Sequence, residues 1–275
     1  MLSVTDYLLI LLLSSAGGFM SGFLGVGGGI IFIPILDFYL RKIGLEGGDL
    51  VKAILANSLF TIIFSGLFSS YKQFKLGNFF PKEIMYTAST GVISAVGMTA
   101  IIKAGTWYNA QLFSYVFAGM LFLITTRMFL SKPKHLIVET TIKPIKYSIT
   151  GFFAGIITAM SGLGGGVVMT PVFTDWLKVD IRKASSISNG VIPVFAIAVG
   201  ILNLSTPATV KVSDWQIGFI IFPVVLPMII SSIIFAPLGV SIAQKTPQKY
   251  IRVVFASFAM MILLKTLYTI YKDSL

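Results

Sequence analysis

Apolar residues run through this chain in stretches too long for a soluble fold. Residues 7–36, 147–174 and 216–244 contain no Asp, Glu, Lys, Arg or His. Shorter runs of the same kind occupy 53–71, 84–102, 106–126, 184–210 and 253–264. A helix that crosses a bilayer needs about 20 largely apolar residues, so the pattern predicts an all-α polytopic membrane protein. Only 11% of the 275 residues are charged and the mean hydropathy is +0.91. Soluble domains carry about 25% charged residues, and a chain this poor in charge cannot cover a water-exposed surface.

The polar positions show an internal repeat. Gly25-Val26-Gly27-Gly28-Gly29, followed by Pro34, recurs as Gly162-Leu163-Gly164-Gly165-Gly166, followed by Pro171. The offset is a constant 137 residues (25 to 162, 34 to 171), and at that offset Gly18 meets Gly155 and Ser21 meets Thr158. Lys52-Ala53 with Asn57 is echoed by Lys183-Ala184 with Asn189, one residue out of step. Two homologous halves follow: an N-terminal repeat over 1–130 and a C-terminal repeat over 147–275. A Lys- and Pro-containing linker over 131–146 joins them.

The glycine clusters decide how each half enters the membrane. As one straight helix, residues 7–36 would measure about 45 Å at ~1.5 Å per residue, against a hydrocarbon core about 30 Å thick. Four glycines in five positions also weaken a helix interior, at about 1 kcal/mol each. The alternative is a helical hairpin turning at the glycines, over 7–40 in the first half and 147–177 in the second, with three transmembrane helices after each. Charge counting separates the two. With a hairpin, one side of the bilayer receives Arg41, Lys42, Lys52, Lys103, Lys211, Lys265 and Lys272, and the other the remaining fourteen of the 21 Lys and Arg. With a single crossing the basic residues divide almost evenly. Basic residues favour the cytoplasmic side, so the biased arrangement is preferred. A hairpin plus three spans per half inserts the halves in opposite senses, giving inverted repeats. The linker is then cytoplasmic and both termini lie outside. Met1 to Asp6 lacks the basic start of a signal peptide, so the first run is expected to be retained.

The net charge of +11 raises nucleic acid as a partner, but the Lys and Arg sit between apolar runs, where lipid headgroups meet them. Lipid, not nucleic acid, is the expected surroundings. The chain has no cysteine and one histidine, His135, in the linker. No cofactor, no metal site and no catalytic residues are expected.

What chemistry remains belongs to neutral donors. Gly27, Gly28, Gly29, Gly164, Gly165 and Gly166 turn the backbone at membrane depth, where N–H groups must be satisfied by protein, water or a ligand. The helix start after each turn favours an anion. Packing of small residues between helices is the other reading of these glycines. Asn57 and Asn189, with Ser58 and Ser188 beside them, offer further donors to an oxyanion; interhelical bonding is their other reading. Pro34 and Pro171, with Asp37 and Asp175 just after them, are positions for gating or for solvated helix ends. Lys265 is the one cation within the terminal apolar run, and its long stem allows snorkelling. No acidic residue stands in the middle of a long run, where proton- or sodium-coupled carriers often place one.

The paired glycine–proline motifs, Gly25 to Pro34 and Gly162 to Pro171, together with Asp214-Trp215 before a long apolar run, resemble the TauE/SafE family of membrane permeases over nearly the whole chain. The first half has only Asn78-Phe79 as a counterpart to Asp214-Trp215. The resemblance implies a secondary transporter of small anions, such as sulfite, organosulfonates or related organic anions, in the plasma membrane. It would work by alternating access, with a small anionic substrate held between the repeats. An anion channel and a non-transport assembly factor are the competing functions.

Overall fold

The first apolar run breaks at its glycines. The computed structural model describes residues 2–105, 107–130, 143–205, 207–208 and 210–273. Most of the linker, 131–142 with His135, lies outside the described residues. Helix α1, Val4–Leu24, ends at Gly25, and α2, Gly29–Lys42, begins after Gly28. α2 folds back along α1: the ring of Phe32 lies against Gly17, and the Lys42 Nζ at the end of α2 reaches Asp6 Oδ1 at the start of α1, at 2.7 Å. Ser3 caps α1 and shares the same carboxylate, forming a capping box.

The second run repeats this. α6, Pro144–Ser161, ends at Gly162, and α7, Gly166–Pro171, continues as a π turn over Val172–Trp176. The returning segment carries Phe173 to within 5.5 Å of Tyr147, near the start of α6. Pro171 has no N–H to donate, and a π turn accommodates such a break.

After each hairpin come long helices: α3 (Gly47–Lys75), α4 (Pro81–Ala104) and α5 (Ala110–Leu130) in the first half, α8 (Ile181–Ser205), α9 (Phe222–Ala243) and α10 (Gln248–Asp273) in the second. Five of the described helices, α1, α3, α4, α8 and α9, are long and apolar enough to cross a membrane, and α10 holds a shorter apolar stretch, Ala259–Tyr271. Two short strands, β1 (Gln216–Ile217) and β2 (Ile220–Ile221), pair antiparallel just before α9.

The helices pair across the chain. α1 packs along α9, α4 along α6, α3 along α8, and α5 along α10. Small residues allow the closest approaches: Gly22 faces the Ala236 carbonyl and Gly239 that of Phe19 between α1 and α9. Gly151 faces the Thr87 carbonyl between α4 and α6. Small side chains let helix backbones come together in lipid, where no hydrophobic force drives them. Large apolar side chains such as Leu12, Ile93, Ile201 and Ile234 point outward, as lipid contact requires.

The Asp6–Lys42 pair is the clasp at the open end of the first hairpin. Asp6 is 6% exposed, and removing its partner leaves a buried carboxylate with only Ser3. Lys42→Met is therefore expected to lower stability, read as an earlier thermal unfolding in detergent. Lys72→Met, far along α3, serves as the comparison and is expected to unfold like the parent.

Candidate substrate site where two hairpins meet

Both turns need glycine for the same reason. Gly25, Gly27 and Gly28 have φ of 71°, 84° and 77°, and Gly162, Gly164 and Gly165 have 68°, 77° and 73°. These are left-handed conformations that a Cβ disfavours. Such angles reverse the chain within a few residues, so each hairpin presents bare backbone at its tip.

The two tips pack directly on each other. A Cβ at Gly29 would stand 2.8 Å from the Leu163 Cα, and one at Gly27 3.2 Å from the Leu163 carbonyl oxygen. Gly166 faces the Gly25 carbonyl in the same way. Ile62 of α3 and Ile192 of α8 close the junction from the sides. Hydroxyls satisfy the turn carbonyls: the Ser58 Oγ donates to Gly162 O at 2.8 Å, the Ser65 Oγ to Gly27 O at 3.2 Å, and the Thr170 Oγ1 to Gly25 O at 3.3 Å. Ser188 lies 3.1 Å from the Thr170 hydroxyl. By contrast, the N–H groups of Gly27, Gly28, Gly29, Gly164, Gly165 and Gly166 donate no hydrogen bond to a described residue. At the junction the carbonyls of Gly25, Gly27 and Gly162 are therefore occupied, while these six N–H donors are open.

The matched asparagines have different environments. Both are fully buried. Asn57 is spent: its Nδ2 donates to Ala53 O at 2.6 Å and Phe219 O at 2.8 Å, and its Oδ1 accepts from Ile221 N at 2.8 Å. It pins the β1–β2 turn to α3. Asn189 has no partner on either Nδ2 or Oδ1 among the described residues. On α8 it shares a face with Ser185, four residues before it, and Ile192, three after it. Ser185 lies against Gly25, and Ile192 against Gly27, Gly164 and Gly166. An unpartnered amide thus adjoins the junction.

The Lys-Ala pairs also have a tertiary meaning that spacing does not express. The Lys52 ammonium sits 5.8 Å from the Phe219 ring and that of Lys183 4.6 Å from the Phe80 ring. Each cation covers the aromatic segment that precedes α9 or α4. Lys183 also pairs with Glu83 at 2.9 Å. The sequence carries a signal for the first contact, since Gly218 between Ile217 and Phe219 marks a tight turn.

Of the gating positions, Pro34 lies inside α2 and Pro171 ends the α-helical part of the returning segment. Asp37 accepts from the Arg41 Nε at 2.8 Å. The Asp175 backbone falls in the π turn, and its side chain lies outside the described ones. Among the described residues no cluster of His, Asp or Glu is placed to hold a metal ion.

The profile of a family described as "Sulfite exporter TauE/SafE" matches residues 10–266. A "probable membrane transporter protein" of Methanocaldococcus jannaschii is 29% identical over 261 residues, covering 92% of this chain and 93% of that one. One from Haemophilus influenzae is 26% identical over 269 residues, covering 94% and 97%. One from Bacillus subtilis is 26% identical over 198 residues, covering 70% and 76%. No solved structure matches.

Proposed function

Because the chain belongs to the TauE/SafE family, we propose that it carries a small oxyanion across the plasma membrane and binds it where the two hairpin tips meet. Sulfite, an organosulfonate or a related organic anion is the substrate class. The observation that carries this reading is the unpartnered, fully buried amide of Asn189 beside a junction rich in open N–H donors. A buried amide without a partner costs about 1–3 kcal/mol, and an oxyanion would accept from it and from the turn glycines. Backbone and amide donors would replace the hydration shell of the anion, with Ser188 at the side and Asn57 holding the scaffold.

Residues 25–29 and 162–166 are all buried, as a carrier requires of its site in one of its states. Exchange of α1 with α6, α2 with α7, α3 with α8, α4 with α9 and α5 with α10 maps the observed helix pairings onto themselves. That self-mapping supports reading the halves as inverted repeats, between which such carriers hold their substrates. Alternating access would come from movement of one hairpin and its packed helices against the other. The bias of basic residues favours a cytoplasmic linker with both termini outside.

The test is flux of sulfite, sulfoacetate and chloride in proteoliposomes. Saturable uptake of an oxyanion, accelerated by the same anion on the far side, is the expected result. Linear uptake without such acceleration would mean a channel. No flux from folded protein would turn the reading to an assembly role.

A further inference from the structure

A second feature points to anions and involves none of the glycines. A cavity of about 60 Å³ lies between α2, α3, α5 and α10. One water needs roughly 10–15 Å³ of such space, so it has room for a small oxyanion. Its inner wall is apolar, with Ile33, Ile54 and Phe117, and its rim is polar, with Arg41, Lys265, Thr266 and Thr269.

The charges at the rim do not cancel. Asp37 is the one acid among the described lining residues, and it takes the Nε of Arg41 at 2.8 Å. The Arg41 guanidinium makes no other hydrogen bond to a described residue, so its outer fork remains open, and a planar fork matches an oxyanion. Lys265 then adds one uncompensated positive charge. The Thr266 and Thr269 hydroxyls bond only within α10, to Ile262 O and Lys265 O. Each has lone pairs to spare and a proton it can redirect.

The recess also leads somewhere. Ile33 lines it and reaches the hairpin junction, with its Cδ1 3.7 Å from where a Cβ on Gly162 would stand. One layer of side chain therefore separates the charged recess from the hairpin tips. We propose that this recess is a second anion site, a vestibule in which Lys265 and Arg41 hold a small oxyanion before it passes Ile33 to the tips. The vestibule role rests on the transporter reading; the binding of an anion there does not.

The absence of cysteine makes a direct test possible. Thr266→Cys introduces a single thiol at the rim and disturbs only a bond within α10. Its labelling would be timed with anionic and cationic thiosulfonate reagents, in phosphatidylcholine vesicles with and without phosphatidylglycerol. The anionic reagent is expected to react faster by about tenfold or more. Adding Lys265→Gln should abolish that preference, and sulfoacetate should slow the reaction. Equal rates for both reagents, or a preference indifferent to Lys265→Gln, would overturn the proposal. Protection by phosphatidylglycerol but not by sulfoacetate would also overturn it, by assigning the recess to a lipid headgroup. Because labelling needs no flux, a charge-selective recess in a protein without transport sinks the carrier reading alone. Saturable flux with an indifferent recess sinks this one alone.

Discussion

Asn189→Leu is expected to abolish oxyanion flux while leaving the protein as stable as the parent, or slightly more so. The substitution keeps the branching of the side chain and removes a buried amide that has no partner among the described residues. Loss of an unsatisfied polar group can be neutral or stabilising. Asn57→Leu should behave in the opposite way. It breaks three hydrogen bonds and strands both the Phe219 carbonyl and the Ile221 N–H in a buried place. The expected cost is about 3 kcal/mol or more, visible as a lower unfolding midpoint before any assay of flux. Thermal unfolding and flux measured on both variants separate the two roles. An Asn189→Leu protein that transports normally would remove Asn189 from the site, and one that unfolds early would make it structural.

Gly29→Val is expected to be as damaging, by a different route. Its Cβ would meet the Leu163 Cα at 2.8 Å, and backbone cannot swing aside as a flexible side chain can. Overpacking of this kind costs about 1–3 kcal/mol, occasionally more, and here it would force the two hairpin tips apart. Both stability and flux should fall. Gly97→Ala in α4 is the control, because nothing lies within 4 Å of the added carbon. It should be neutral or stabilise by about 0.5–1 kcal/mol. Normal flux in Gly29→Val would mean that tip contact is not needed for transport. A severe loss in Gly97→Ala would mean that close packing is not what distinguishes these glycines.

The membrane class was legible because hydropathy is a local, additive property: any run of about 20 apolar residues reports it without reference to the rest of the chain. The ends of α1 and α6 were legible for a similar reason, since left-handed backbone at Gly25 and Gly162 asks for glycine where it occurs. The matching of Asn57 with Asn189 was also visible in the sequence, but their difference was not. Asn57 is satisfied by a turn 162 residues away, whereas Asn189 has no partner among the described residues, and nothing near either residue encodes that contrast. The charged recess is the same kind of case. Arg41 and Lys265 stand far apart in sequence at the ends of different apolar runs, where each reads as an ordinary interfacial cation, and only the packing of α10 against α2 and α5 brings them to one rim. Residue type and spacing determine where helices start, stop and meet lipid. Which polar groups end up paired, open or gathered depends on contacts between distant segments, and those the tertiary structure alone decided.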